Sequence, residues 1–62
     1  MIQNYEITAT RNGEIKKTFG SIESKDGVNG KDAKIMCEEL KARFPYYENF
    51  KFYLEGVLIY ES

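Results

Sequence analysis

Apolar and polar side chains alternate in two runs near the start of the chain. In the run from position 2 to position 10, Tyr5, Ile7 and Ala9 fall on one side, and Glu6, Thr8 and Thr10 fall on the other. A period of two is typical of a β-strand that buries one face. A second alternating run covers positions 14 to 19, after the turn residues Asn12 and Gly13. The pattern predicts a β-hairpin.

The register of this hairpin depends on the length of its loop. A two-residue turn at Asn12-Gly13 is the usual interpretation of this dipeptide, but it places Ile15 and Phe19 on the face opposite to Ile7. A three-residue loop, with Gly13 as a left-handed bulge, pairs Ala9 with Ile15 and Tyr5 with Phe19, and it gathers the large apolar side chains on one face. A one-residue slip moves every side chain to the other face. We therefore give more weight to a register that keeps the large apolar side chains on one face than to the usual turn type. We predict the bulged loop.

A helix is predicted from about position 31 to position 44. Asn29 belongs to the residue types that cap helix N-termini, and Pro45 ends the helix. Apolar residues at helical spacing form one stripe. This stripe consists of Ala33, Met36, Cys37, Leu40 and Phe44. Ile35 falls on the opposite, exposed side of the helix.

Alternation returns at positions 50 to 55 and 57 to 61. Treating positions 55 and 56 as a two-residue turn pairs Leu54 with Val57 and Phe52 with Ile59, and it sorts the side chains into two faces. The face predicted to pack against the helix carries Phe50, Phe52, Leu54, Val57 and Ile59. The face predicted to point outward carries Lys51, Tyr53, Leu58 and Tyr60.

Residues 1–62 are therefore predicted to form a single small α+β domain with element order ββαββ. Its sheet is four-stranded and mainly antiparallel, with one α-helix packed on one face. The order of the strands stays open, because the hairpins can meet in two ways. A chain this short buries only roughly 60% of its unfolded surface, so the large aromatic side chains matter for its stability.

Composition points to a cytoplasmic protein. The single cysteine, Cys37, cannot form an internal disulfide, which favours a reducing compartment. No apolar run approaches the roughly 20 residues of a membrane span, so we expect no membrane association. Nine basic and ten acidic residues are interspersed and give a formal charge of -1. No basic block marks a strong nucleic-acid footprint.

Residues that could carry catalysis are scarce. The chain contains no histidine, the commonest general base and a frequent zinc ligand. Cys37 lies on the apolar helix stripe, which favours a buried structural thiol. Glu38 and Glu39 are adjacent, but neighbours on a helix point roughly 100° apart and do not share a site. We expect no catalytic residue, metal site, cofactor or small-molecule substrate, and hence no enzyme.

The outward side of the second hairpin carries the candidate binding residues. That side should be polar, yet Tyr53, Leu58 and Tyr60 stand there beside Lys51. Tyrosine is enriched at protein interfaces, and clustered apolar patches mark contact sites. Cross-strand aromatic pairs also stabilise sheets without binding anything, so both readings stay open. Ile35 is a weaker candidate, because single exposed apolar residues are common.

We therefore expect a small non-catalytic protein-binding module that contacts a protein partner or forms a homodimer. Very small acidic domains without catalytic groups are often encoded by phages and mobile elements to block a host protein. An inhibitor or adaptor of that kind, acting on a host protein, is the expected function.

The alternative function is nucleic-acid binding. Tyr53 and Tyr60, with Lys16 and Lys51, could stack single-stranded bases on the sheet. The strand–strand–helix order of about the first two thirds of the chain also resembles the small arm-binding domains of some phage integrases. That resemblance implies a sheet that reads DNA. The acidic balance opposes both versions, because phosphate neutralisation needs an excess of positive charge.

Overall fold

The computed structural model describes residues 1–62, which form four strands and one helix. In chain order these are β1 (Ile2–Arg11), β2 (Glu14–Glu23), α1 (Gly30–Arg43), β3 (Glu48–Leu54) and β4 (Val57–Glu61). The strands form one antiparallel sheet in the order β2-β1-β3-β4. Helix α1 packs on one face, mainly against β3 and β4. The predicted α+β architecture is confirmed.

The core lies between α1 and the two central strands. Its seven buried residues are Ile7, Ala9, Ala33, Cys37, Phe50, Phe52 and Leu54. Phe52 is fully buried, and its ring stacks on that of Tyr5 at 5.4 Å between centroids. The predicted helix-facing side of β3 and the centre of the predicted helix stripe are thus confirmed. Phe44, at the end of that stripe, is half exposed.

Asn29 caps the helix as the sequence predicts. Its side-chain oxygen accepts a hydrogen bond from the backbone N–H of Asp32 at 3.0 Å. The Asp32 carboxylate accepts one from the Asn29 N–H at 3.3 Å, which completes a capping box. Two otherwise unpaired N–H groups are satisfied, and the helix begins at Gly30.

The predicted register of the first hairpin is wrong. Asn12 and Gly13 form a two-residue turn between the paired residues Arg11 and Glu14, with φ of 52° and 81°. Two successive positive φ values are those of a type I′ turn, whose twist matches that of the flanking strands. Ile7 therefore lies opposite Thr18, and the three-residue bulged loop does not form.

Two features of the tertiary structure favour the register of the two-residue turn over that of the predicted three-residue loop. Tyr5 lies opposite Gly20, not Phe19, and a Cβ at Gly20 would overlap the Tyr5 ring. The glycine thus makes room for the ring that stacks on Phe52. In addition, α1 packs mainly against β3 and β4, and the polar residues Lys16 and Thr18 on the helix side of β2 stay exposed.

The second hairpin closes with the predicted two-residue turn but departs from the predicted pairing. Glu55 and Gly56 have φ of 48° and 83°, and Leu54 pairs with Val57 as expected. Beyond the turn the register shifts, so that Phe52 pairs with Tyr60 and not with Ile59. This β-bulge leaves Ile59 as the extra residue.

Because of the bulge, Tyr60 does not lie on the face that the sequence pattern predicts. Ile59 and Tyr60 both pack against the core, so Tyr60 lies on the helix side of the sheet and not on the outward face.

Two hydrogen bonds hold the unusual backbone of Glu55 at the preceding turn: its N–H donates to the Asn4 carbonyl at 2.9 Å, and its carboxylate accepts from the Asn4 N–H at 2.7 Å.

We expect Gly13→Val to destabilise the fold by about 1 kcal/mol or more, because a β-branched residue resists positive φ. Gly13→Asn is the matched control, since asparagine tolerates the left-handed conformation. Urea unfolding followed by circular dichroism measures both variants. Equal stabilities of the two would contradict the turn geometry.

A second prediction tests the register itself. Gly20→Ala should cost about 1–3 kcal/mol, because the new methyl group displaces the Tyr5 ring. Ser21→Ala, one residue further along β2, removes only an exposed hydrogen bond to Asn4 and should change stability by less than about 0.5 kcal/mol. Thermal unfolding of both variants decides the point. A neutral Gly20→Ala would mean that Tyr5 does not lie over that position.

A third prediction concerns Cys37, which is 2% exposed. Burial raises the pKa of its thiol from the ordinary value of 9.0 to about 11. The stability that this neutral thiol contributes is full below pH 9 and is lost as the pH rises to about 11. Within that window the loss should be about 1.4 kcal/mol per pH unit.

Cys37→Ala removes the titrating thiol but keeps the other basic and phenolic groups. The free energy of unfolding is measured against pH for both proteins, and the difference between the two slopes gives the contribution of the Cys37 thiol. Labelling of the native thiol should also be slow and should accelerate on denaturation. Rapid labelling of the folded protein would show that the thiol is accessible.

Candidate functional site

The outer face of the sheet, meaning the side that α1 does not cover, carries a row of large side chains that crosses all four strands. Cross-strand pairing aligns Phe19 of β2, Glu6 of β1, Tyr53 of β3 and Leu58 of β4. Phe19 is 70% exposed and Leu58 is 44% exposed, whereas Tyr53 is half-buried. We call these four residues the apolar row, since only Glu6 interrupts it.

The neighbouring row on the same face is charged. Pairing aligns Lys17, Thr8, Lys51 and Glu61. The Lys17 ammonium lies 3.9 Å from a carboxylate oxygen of Glu6, and Lys51 lies opposite Glu61 across β3 and β4. Lys17 thus forms an ion pair and Lys51 has Glu61 as its cross-strand neighbour, so the outer face carries no excess of positive charge.

Two more apolar side chains stand on the outer face of the first hairpin. Ile15 is 66% exposed and lies opposite Thr10, next to the turn. Ile2, also exposed, lies opposite Glu23 at the other end of the hairpin. Together with Phe19 they make this face considerably more apolar than the sequence pattern predicts.

The structure divides the predicted binding residues among three places. Lys51, Tyr53 and Leu58 lie together on the outer face, as predicted. Tyr60 packs against the core on the helix side, which contradicts its predicted position. Ile35 is 47% exposed on α1, as predicted for the polar side of the helix, but α1 covers the opposite face of the sheet.

Ile15 and Phe19 were missed because the predicted register turned both toward the helix. The sequence did contain the signal that would have found them, since Asn-Gly between two alternating runs favours a two-residue type I′ turn. No comparable signal marks the bulge at Ile59.

A shallow apolar cleft lies on the other side of the sheet, between α1 and β2. Its volume is about 90 Å³, and its lining residues are Ile7, Ala9, Lys16, Thr18, Leu40, Phe44, Tyr47 and Phe50. Pockets that hold drug-sized ligands usually measure roughly 300 Å³ or more. The cleft is therefore too small for such a ligand.

Basic and aromatic side chains also meet at the tip of the first hairpin. The Arg11 guanidinium lies 5.4 Å from the centroid of the Tyr46 ring and 5.9 Å from that of Tyr47. The Lys16 ammonium lies 5.9 Å from the Tyr47 centroid. These cation–π contacts help to attach the hairpin tip to the segment that follows α1.

The groups that carry chemistry are dispersed or buried. No three His, Cys, Asp or Glu side chains come together in a way that could hold a metal ion. The thiol of Cys37 lies beneath the sheet, and its raised pKa keeps it neutral at physiological pH. What the outer face offers is contact area: an apolar row beside a row of matched charges.

Helix α1 is neither long enough nor apolar enough to cross a membrane. Comparison with protein-family models, with curated proteins and with solved structures finds no significant match to this chain.

Proposed function

We propose that the chain is a non-catalytic protein-binding module whose contact surface is the outer face of the sheet. The observation that carries this proposal is the apolar row, in which Phe19, Tyr53 and Leu58 stand on the side without a helix. Sheets that face water on one side usually carry polar residues there. An apolar row at that position lies in water, and its burial lowers the free energy only when a second surface covers it.

The row also indicates the chemistry of the partner. Glu6 lies between Phe19 and Tyr53, and its side chain is 30% exposed. Covering the row removes water from this carboxylate, so its charge must stay paired with a cation or a hydrogen-bond donor. Lys17 supplies part of this pairing at 3.9 Å. A complementary surface would therefore be apolar with a donor or a basic side chain near its centre.

Such a module would act by occupying a surface of its partner. Tyr53 and Phe19 are rigid aromatic side chains that supply contact area at a low cost in conformational entropy. The chain is 62 residues long, and several of its large apolar side chains lie on one exposed face. This arrangement supports a role as an inhibitor or adaptor on a host protein, of the kind that phages and mobile elements encode.

The electrostatics of the outer face favour a protein partner over a nucleic acid. Phosphate binding depends on cations that are free to replace counterions. Lys17 and Lys51 have Glu6 and Glu61 close by, and the formal charge of the chain is -1. Of the two tyrosines predicted to stack bases, only Tyr53 remains on this face, because Tyr60 lies on the helix side.

The test of this proposal uses a photo-crosslinking amino acid at two matched exposed positions. Benzoylphenylalanine at Phe19 lies in the apolar row, whereas the same residue at Ile35 lies on α1. In host lysate, position 19 should crosslink to a protein other than a second copy of this chain, which mass spectrometry can identify, and nuclease treatment should leave the crosslink intact. Crosslinks at position 35 only, or crosslinks that nuclease abolishes, would contradict the proposal.

Affinity measurements with the identified partner then test individual residues. Leu58→Ala should weaken binding by about 2 kcal/mol, or roughly 30-fold, if it belongs to the energetic centre of the interface. Ile35→Ala is the matched control and should leave the affinity unchanged. Both variants should keep the wild-type melting temperature within a few degrees. Unchanged affinity of a folded Leu58→Ala variant would show that the row is structural.

A further inference from the structure

Strand β2 forms one edge of the sheet and is unusually regular for an edge. It is ten residues long and pairs with β1 from Ile2↔Glu23 to Arg11↔Glu14 without a register shift. The opposite edge, β4, has five residues and a bulge. Long edges without a proline or a bulge are templates for pairing with another strand.

The unpaired backbone groups of this edge can be assigned from the register. The Ser24 N–H donates to the Met1 carbonyl at 2.9 Å. Hydrogen-bonded pairs alternate with non-bonded pairs along an antiparallel ladder, so every second residue of β2 directs its N–H and C=O away from β1. These residues are Ile15, Lys17, Phe19, Ser21 and Glu23. Their side chains lie on the outer face.

We propose that two copies of the chain join antiparallel through their β2 edges, with Phe19 on the two-fold axis. Phe19 is the middle member of the five residues with free backbone groups. A two-fold axis at this residue therefore pairs all five with their counterparts and forms about ten hydrogen bonds. The two four-stranded sheets become one continuous sheet, with both helices on the same side.

The charges of β2 favour this antiparallel arrangement with a second copy. The strand has lysines near its start, at positions 16 and 17, and Glu23 at its end. With Phe19 on the axis, Lys17 lies opposite Ser21 of the second copy and diagonal to Glu23 of the second copy. No two like charges lie directly opposite each other. A parallel arrangement in register would place the lysines side by side, which is destabilising.

Lysines often protect edge strands from pairing, but both lysines of β2 lean back onto their own domain. The Lys16 ammonium lies over the Tyr47 ring, and that of Lys17 lies near Glu6. Neither ammonium group therefore blocks the approach of a second strand to this edge. At the axis, Phe19 meets Phe19 of the second copy, which joins the two apolar rows.

This inference rests on the strand edge and not on the proposed function, so the two can fail separately. The first experiment compares Ser21→Pro with Ser21→Ala. Both remove the hydroxyl that bonds to Asn4, but only proline removes the outward N–H. Because that N–H faces away from β1, proline at this edge position is compatible with the fold, and circular dichroism checks this.

Sedimentation equilibrium then measures the mass of each protein. Wild type and Ser21→Ala should form dimers with the same dissociation constant, and Ser21→Pro should weaken the dimer at least about tenfold. A wild-type protein that stays monomeric up to about 1 mM overturns the proposal. A dimer that Ser21→Pro leaves unchanged also overturns it, because that dimer would use another surface.

A charge swap tests the position of the axis and does not depend on proline. Phe19→Glu and Phe19→Lys each place two like charges face to face at the axis, so each alone should be monomeric at low salt. An equimolar mixture should form a heterodimer, because opposite charges then meet. Failure of the folded variants to associate in the mixture, with wild type dimeric, would contradict an axis at Phe19.

Discussion

The two-residue turn at Asn12-Gly13 fixes the register of β1 against β2, and this register decides which face each side chain of the first hairpin occupies. Both turn residues adopt positive φ, which only a few residue types tolerate at low cost. The turn aligns Gly20 with Tyr5, so that the tyrosine ring lies over the glycine and stacks on Phe52 at the centre of the core. A one-residue shift would lose this alignment and would reverse the exposure of every β2 side chain.

The size of the helix sets the second constraint. A single helix, Gly30–Arg43, covers the part of the sheet that contains β3 and β4. Only seven residues are buried, and the aromatic side chains of Phe50 and Phe52 supply much of their volume. The helix side of β2 stays largely uncovered near the turn, where β2 carries Lys16 and Thr18, whereas Ile22 further along packs against the core. Ile15 and Phe19 stand on the outer face, where a partner can reach them.

The outer face and the β2 edge meet at Phe19. Its side chain ends the apolar row, and its backbone groups lie in the middle of the free edge. A second strand added at this edge would extend the row, whereas a partner over the outer face would cover it. The two kinds of contact use different atoms, since one depends on backbone hydrogen bonds and the other on side-chain area. A dimer could therefore present two copies of the proposed binding surface at the same time.

The sequence by itself determined the elements and most of the core. The alternation of β1 and β3, the capping box at Asn29 and the helix stripe around Cys37 are local patterns, and local backbone and side-chain preferences suffice to specify them. The outward orientation of Tyr53 and Leu58 also followed from alternation. The placement of Phe19 and Ile15 follows from the local Asn12-Gly13 turn, and the space that Gly20 leaves for Tyr5 agrees with it. Tertiary structure decided the strand order and the inward turn of Tyr60. Those two features depend on where α1 lies and on a bulge of one residue in β4, because each involves pairing or packing between residues that local patterns do not bring together.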